Sequence, residues 1–131
     1  VEYCPGYTFP YAAPEIFARY DDHINHRPQV PMELTEKQDV FAFGMIMYEL
    51  LFNGPAMQIP SDKLKKVYYE RQVYRRVMFC FEKAASYGRD PIISTLLAII
   101  MRCLHPEPSF RPQFDWIGVS LKLILNSHIE H

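Results

Sequence analysis

Few side chains in this 131-residue chain are placed to do chemistry. Cys103 and His105 stand two apart in "CLHPEP", a pairing that suits a thiolate nucleophile and its base. Closeness in sequence does not make a dyad, however, and Cys103 closes an apolar run where a buried structural thiol is expected. His23 and His26 in "HINH", and His128 and His131 at the end of the chain, could each bring two imidazoles to one metal. No third ligand stands near either pair in sequence, so exposed histidines are expected and no metal site or catalytic residue is assigned. A different question comes from "YTFPYAAPEIF", Tyr7 to Phe17, in which Glu15 is the one acid among four aromatics and two prolines. A carboxylate in apolar surroundings needs a cationic partner, or else a place in the first turn of a helix, where the dipole favours it.

Composition limits what could supply that partner. A hydrophobic fraction of 49% is enough for the chain to bury a core as one domain. The formal net charge of −1 gives no reason to expect nucleic acid or an anionic membrane as partner. The apolar runs Val40 to Met47 and Leu96 to Met101 fall short of the roughly 20 residues that a membrane span needs. Cys4, Cys80 and Cys103 are odd in number and lack metal-like spacing, which points to reduced thiols and a cytoplasmic, reducing compartment. No targeting segment is apparent, and the start at Val1 without methionine suggests a fragment or processed piece.

The elements that must position these residues are helical. Tyr3 to Tyr11 reads as loop, a short helix follows Pro14, and Ala18 to Lys37 reads as a long surface loop. Asp39 is suited to N-cap "VFAFGMIMYELLF", a run apolar on nearly every side except at Glu49, ended by Asn53-Gly54-Pro55. A helix of that kind is a buried one, and it is the expected centre of the domain. Gly44 inside it costs about 1 kcal/mol relative to alanine, which close approach of another backbone would explain. Ser61 opens "DKLKKVYYERQVYRRVMF", with Leu64, Val67, Tyr68 and Val77 toward an apolar face. Lys63, Lys65, Lys66, Arg71, Arg75 and Arg76 form its basic side, read as a solvated face or a surface for an acidic partner. Asp90-Pro91 opens "IISTLLAIIMRCL", His105 to Pro112 is loop, and a last helix runs from about Gln113 to Asn126, with Phe114, Ile117, Leu121, Ile124 and Leu125 at helical spacing. No segment reads as a strand, so the fold class is all-α.

Three segments, taken in order, resemble the later half of a eukaryotic protein kinase catalytic domain: "TFPYAAPE" at Thr8 to Glu15, "DVFAFG" at Asp39 to Gly44, and "CLHPEPSFRP" at Cys103 to Pro112. The resemblance covers nearly the whole chain and implies the helical C-lobe of that fold, residues 1–131 being a partial kinase domain. It implies an ion pair between Glu15 and Arg111, a pairing a guanidinium suits because it is bidentate and always charged. It also implies that Asp39 holds the catalytic loop through its backbone, and that Thr8, Phe9, Pro10 and Tyr11 receive the substrate residue after the phosphoacceptor. Thr8 matches the serine/threonine-directed pattern. Two departures are Tyr7 between Gly6 and Thr8, and the length of the stretch from Glu15 to Asp39.

Phosphoryl transfer needs a glycine-rich phosphate loop, a strand lysine, an H-R-D aspartate with its asparagine, and a D-F-G metal-binding aspartate. None of these motifs occurs in the chain, whose five glycines are isolated. The expectation is a chain inactive alone and without cofactor, belonging to a parent that uses ATP and Mg²⁺ on protein substrates. The alternative is a pseudokinase-like scaffold for a protein partner. Tyr3 and Tyr7 are candidate phosphorylation sites.

Overall fold

The structure, a computed structural model, describes residues 11–28, 34–52, 66–86 and 89–130. Among these residues five α-helices follow one another: α1 (Pro14–Ile24), α2 (Glu36–Phe52), α3 (Lys66–Ser86), α4 (Pro91–Cys103) and α5 (Phe114–Glu130). A 3-10 turn at Pro108–Phe110 joins α4 to α5. Among the described residues there is no strand. The described residues are all-α, the class expected from the sequence.

Three of the helices, α1, α2 and α4, begin for a local reason. Ala13, extended at φ −65° and ψ 153°, precedes Pro14 at the first position of α1, where the fixed ring dihedral suits a helix and the missing N–H costs nothing. Asp90 caps α4 as expected, its Oδ1 accepting from the Ile92 and Ile93 N–H groups at 3.0 and 3.2 Å. At α2 the structure corrects the expected N-cap. The helix opens at Glu36, and Asp39 lies exposed within its first turn. Thr35 does the capping: its hydroxyl accepts from the Lys37 N–H at 3.2 Å, while Gln38 Oε1 accepts from the Thr35 N–H at 2.8 Å. These reciprocal bonds follow the capping-box pattern, threonine followed three residues later by glutamine.

The expected loop from Ala18 to Lys37 is also corrected. Helix α1 continues through Asp21 and Asp22 to Ile24, because Ile16 and Phe17 are buried on one side while the two acids, partly exposed, bind Arg27. Packing outweighs the poor helix propensity of the acids. The last helix likewise runs beyond Asn126 to Glu130. Asn53-Gly54-Pro55, Ser61, Lys63, Leu64 and Lys65 lie outside the described residues. On α3 the inward side consists of Val73, Val77, Cys80 and Ala84, spaced as one helical face.

Phe17, Phe41, Met45, Leu97, Ile100 and Leu104 form the main core, and a second cluster joins Val40, Ile99, Cys103 and Ile117. Helix α4 packs against α2, α3 and α5, so α2 and α4 cross near the middle of the lobe. Gly44 makes that crossing possible. A Cβ built on it would lie 2.6 Å from the Cβ of Cys103 and 3.3 Å from Leu104 Cδ2, so the close neighbour is the end of α4.

Gly44→Ala is therefore predicted to destabilise the fold even though alanine is the better helix former. The loss, read as a fall in unfolding free energy in urea, should be on the order of 1–2 kcal/mol, the overpacking cost less the propensity gain. Cys103→Ala should not rescue it, because the atom met is Cβ rather than sulfur. A more stable Gly44→Ala variant would contradict the packing described.

Candidate functional site

The loop after α4 turns sharply. His105 N–H bonds the Arg102 carbonyl at 3.3 Å, and the 3-10 turn ends with the Arg111 N–H on the Pro108 carbonyl at 3.0 Å. That turn sends the Arg111 side chain inward, where it is fully buried. A guanidinium has five N–H donors and cannot give up its charge inside a protein. Each of the five meets an oxygen. Nε donates to the His105 carbonyl at 2.8 Å, Nη1 to Glu15 Oε2 at 2.7 Å and the Lys37 carbonyl at 3.1 Å, and Nη2 to Glu15 Oε1 at 2.8 Å and the Pro106 carbonyl at 3.4 Å. The guanidinium carbon also lies 5.0 Å from the centre of the Phe41 ring.

The structure thus brings Glu15 and Arg111, 96 residues apart, into a two-pronged ion pair. Glu15 occupies the first turn of α1 as well, so the dipole and the guanidinium act on the same carboxylate. Its Oε2 accepts a further bond from Gln38 Nε2 at 3.0 Å. Gln38 is buried, and its two amide ends link the α2 cap to the ion pair. Lys37 closes the arrangement, its Nζ donating to the Arg111 carbonyl while its own carbonyl receives Nη1. Sequence reasoning missed Gln38 and Lys37, although Thr35-x-x-Gln38 is a visible capping-box signal.

The other expected residues are not gathered at this centre. Asp39 is exposed at the start of α2, and Gly44 lies at the crossing with α4. Tyr11 packs on the core with its hydroxyl donating to Glu49 Oε2 at 3.0 Å, a bond that raises the phenol above its ordinary pKa. Thr8, Phe9 and Pro10, like Tyr3, Tyr7 and Cys4, lie outside the described residues. Cys103 is buried and its thiol is pushed up to about 12 by burial, far from a thiolate at neutral pH. His105 Nδ1 accepts from the Glu107 N–H at 3.0 Å rather than from sulfur. Of the basic face, Arg71 and Arg75 are exposed, whereas Arg76 turns over the Tyr48 ring at 4.7 Å.

A family model described as protein tyrosine and serine/threonine kinase matches residues 7–121. The chain belongs to this protein kinase family. Among curated relatives, "Probable serine/threonine-protein kinase PBL18" of Arabidopsis thaliana is 34% identical over 116 residues, covering 80% of this chain and 26% of its own length. LysM domain receptor-like kinase 10 of Oryza sativa subsp. japonica is 29% identical over 132 aligned positions, 87% of this chain and 18% of its own. LRR receptor-like serine/threonine-protein kinase IOS1 of Arabidopsis thaliana is 30% identical over 96 residues, 71% of this chain and 11% of its own. The chain thus spans only 11% to 26% of the length of these kinases. No solved structure matches it significantly.

Kinase membership implies ATP and Mg²⁺ for an intact domain. Among the described residues, no three His, Cys, Asp or Glu side chains come together as a metal-holding group. No helix among them is long and apolar enough to cross a membrane. What the kinase centre around Arg111 does chemically is hold charge in place, binding the start of α1 to the start of α2 and to the turn before α5.

Removing Glu15 leaves a buried guanidinium with neutral carbonyls alone, and removing Arg111 leaves the Glu15 carboxylate without its countercharge, so Glu15→Ala and Arg111→Ala should each cost about 3–5 kcal/mol. In a double-mutant cycle the double variant should lose clearly less than the sum. Arg111→Lys should stay unstable, because an ammonium cannot span both carboxylate oxygens and the three carbonyls. Additive losses, or a stable lysine variant, would refute the pair as the linchpin.

The thiols give a second test. In a Cys4→Ser background, Cys80 and Cys103 should resist Ellman's reagent at pH 8 and both react on unfolding, since burial pushes each to about 12. Their ordinary value is 9.0, so above that pH the unfolded chain sheds protons that the folded one keeps, and stability should fall as pH rises from 9 toward 12. Rapid native labelling would contradict the burial.

Proposed function

We propose that this chain is the C-lobe part of a serine/threonine protein kinase domain whose intact parent phosphorylates protein substrates with ATP and Mg²⁺. The observation that carries the reading is an exposed face on the helix that supplies much of the core. On α2, Val40, Phe41, Gly44 and Met45 are buried, yet Asp39, Ile46 and Leu50 are exposed and, seven and four residues apart, follow the spacing of a single face. An apolar stripe headed by an acid suits a further segment of the same lobe. In this reading Asp39 accepts hydrogen bonds from the backbone of that segment, the catalytic loop. Thr8 to Tyr11 then forms the floor on which a substrate is read, its last residue anchored by the bond from Tyr11 to Glu49.

The reading extends to place and partner. Buried free thiols at Cys80 and Cys103 support a reducing, intracellular compartment. A second reading, the pseudokinase-like scaffold, draws on the large apolar side chains left exposed on α3 and α5, Phe81 at 64% and Leu123 at 65% among them.

The two separate in the full-length gene product. The kinase reading predicts a rise in melting temperature with Mg-ATP and transfer of labelled phosphate to serine or threonine of a protein substrate. Asp39→Asn should then lower kcat by roughly 10- to 100-fold, the loss expected when a charged hydrogen bond is weakened. No nucleotide-dependent shift and no transfer would overturn it in favour of the scaffold.

A further inference from the structure

Gln38 is only 2% exposed, and a buried amide left without partners destabilises a fold. Both of its ends are used. Nε2 donates to Glu15 Oε2 at 3.0 Å, and Oε1 accepts from the Thr35 N–H at 2.8 Å. Turning the amide over would set its NH2 against an N–H and its oxygen against a carboxylate, so the side chain is held in one orientation. The buried guanidinium does not require this link, because the donors of Arg111 meet the Glu15 carboxylate and three carbonyls without it. What the glutamine adds is a joint between α1 and α2. A second bond joins the same two stretches, from the Tyr11 hydroxyl to Glu49 Oε2 at 3.0 Å. Gln38 and Glu49 stand eleven residues apart on α2, about three helical turns, and so share one face. Between Tyr11 and Glu15 lie Ala12 and Ala13, both fully buried. The segment from Tyr11 to Glu15 is thereby fastened at both ends along α2.

We propose that Gln38 is a positioning residue for phosphoryl transfer in the intact parent. Its backbone leads directly into Asp39, the residue read above as holding the catalytic loop, while its amide grips the start of α1. Tyr11, at the other end of the fastened segment, closes the stretch read as the substrate floor. Gln38 therefore sets the offset between the residues that read a substrate and the loop that acts on it. Such an offset has kinetic weight, since a misplacement of about 1 Å can cost on the order of a hundredfold in rate. This role rests on the kinase reading and deepens it.

The test uses the full-length protein with dephosphorylated casein as probe substrate, and measures KM for casein and for ATP separately. Gln38→Met keeps the length of the side chain without its amide, and Gln38→Asn keeps the amide on a chain too short to span both bonds. Each should raise the KM for casein about tenfold while the KM for ATP stays within about twofold of the wild type. Asp90→Ala, which removes the cap of α4, should lower the melting temperature and leave both KM values unchanged. A merely structural glutamine would act as Asp90 does. If Gln38→Met does not fold, the milder Gln38→Asn decides; if neither folds, the residue is structural and the proposal falls. An unchanged casein KM in a folded variant, or an equal rise in both KM values, overturns it and leaves the kinase reading intact. An inactive wild type overturns both.

Discussion

A guanidinium fully removed from water is the constraint on which the rest of the lobe depends. Arg111 cannot lose its proton, so its five donors must find acceptors or its burial would destabilise the fold by several kcal/mol. Those acceptors come from three separated stretches: the Glu15 carboxylate, the Lys37 carbonyl, and the carbonyls of His105 and Pro106. Each is set locally before it meets the arginine. Proline fixes the start of α1, a capping box fixes the start of α2, and a 3-10 turn fixes the backbone of Arg111 itself. The pair adds little net stability as a charge interaction, but it permits only one relative placement of these three pieces.

The crossing of α2 and α4 is tied to this centre. Phe41 lies under the guanidinium, and three residues on Gly44 lets α4 approach closely enough to seal Cys103. Close packing of that kind explains why the thiol is inert. It also explains why two features that look independent along the chain, an interior glycine and a buried cysteine, meet as one contact.

The helical class and the ends of α4 were legible from apolar spacing and from Asp90-Pro91, because those signals are local. The extent of α1 was not, since Asp21 and Asp22 favour a turn by propensity and only the burial of Ile16 and Phe17 holds them in a helix. Asp39 looked like a cap because it precedes the apolar run, yet the capping pattern lies four residues earlier at Thr35. The partnership of Glu15 with Arg111 spans 96 residues and has no spacing rule behind it. Resemblance to the kinase pattern suggested it, whereas the capping-box signal marks Gln38 only as a cap and says nothing of its bond to Glu15.

Among the described residues, the exposed faces of α2 and α3 differ in their settings. The stripe on α2 belongs to a helix whose opposite side supplies Val40, Phe41 and Met45 to the core, so whatever covers it becomes a further layer of the same lobe. The stripe on α3 sits on a helix that packs inward on α1 and α4 through Val73, Val77 and Cys80, its inner side already satisfied. Covering it changes nothing in the core. A surface of the first kind is completed by folding, which is why the α2 face, and not the α3 face, bears on the kinase reading.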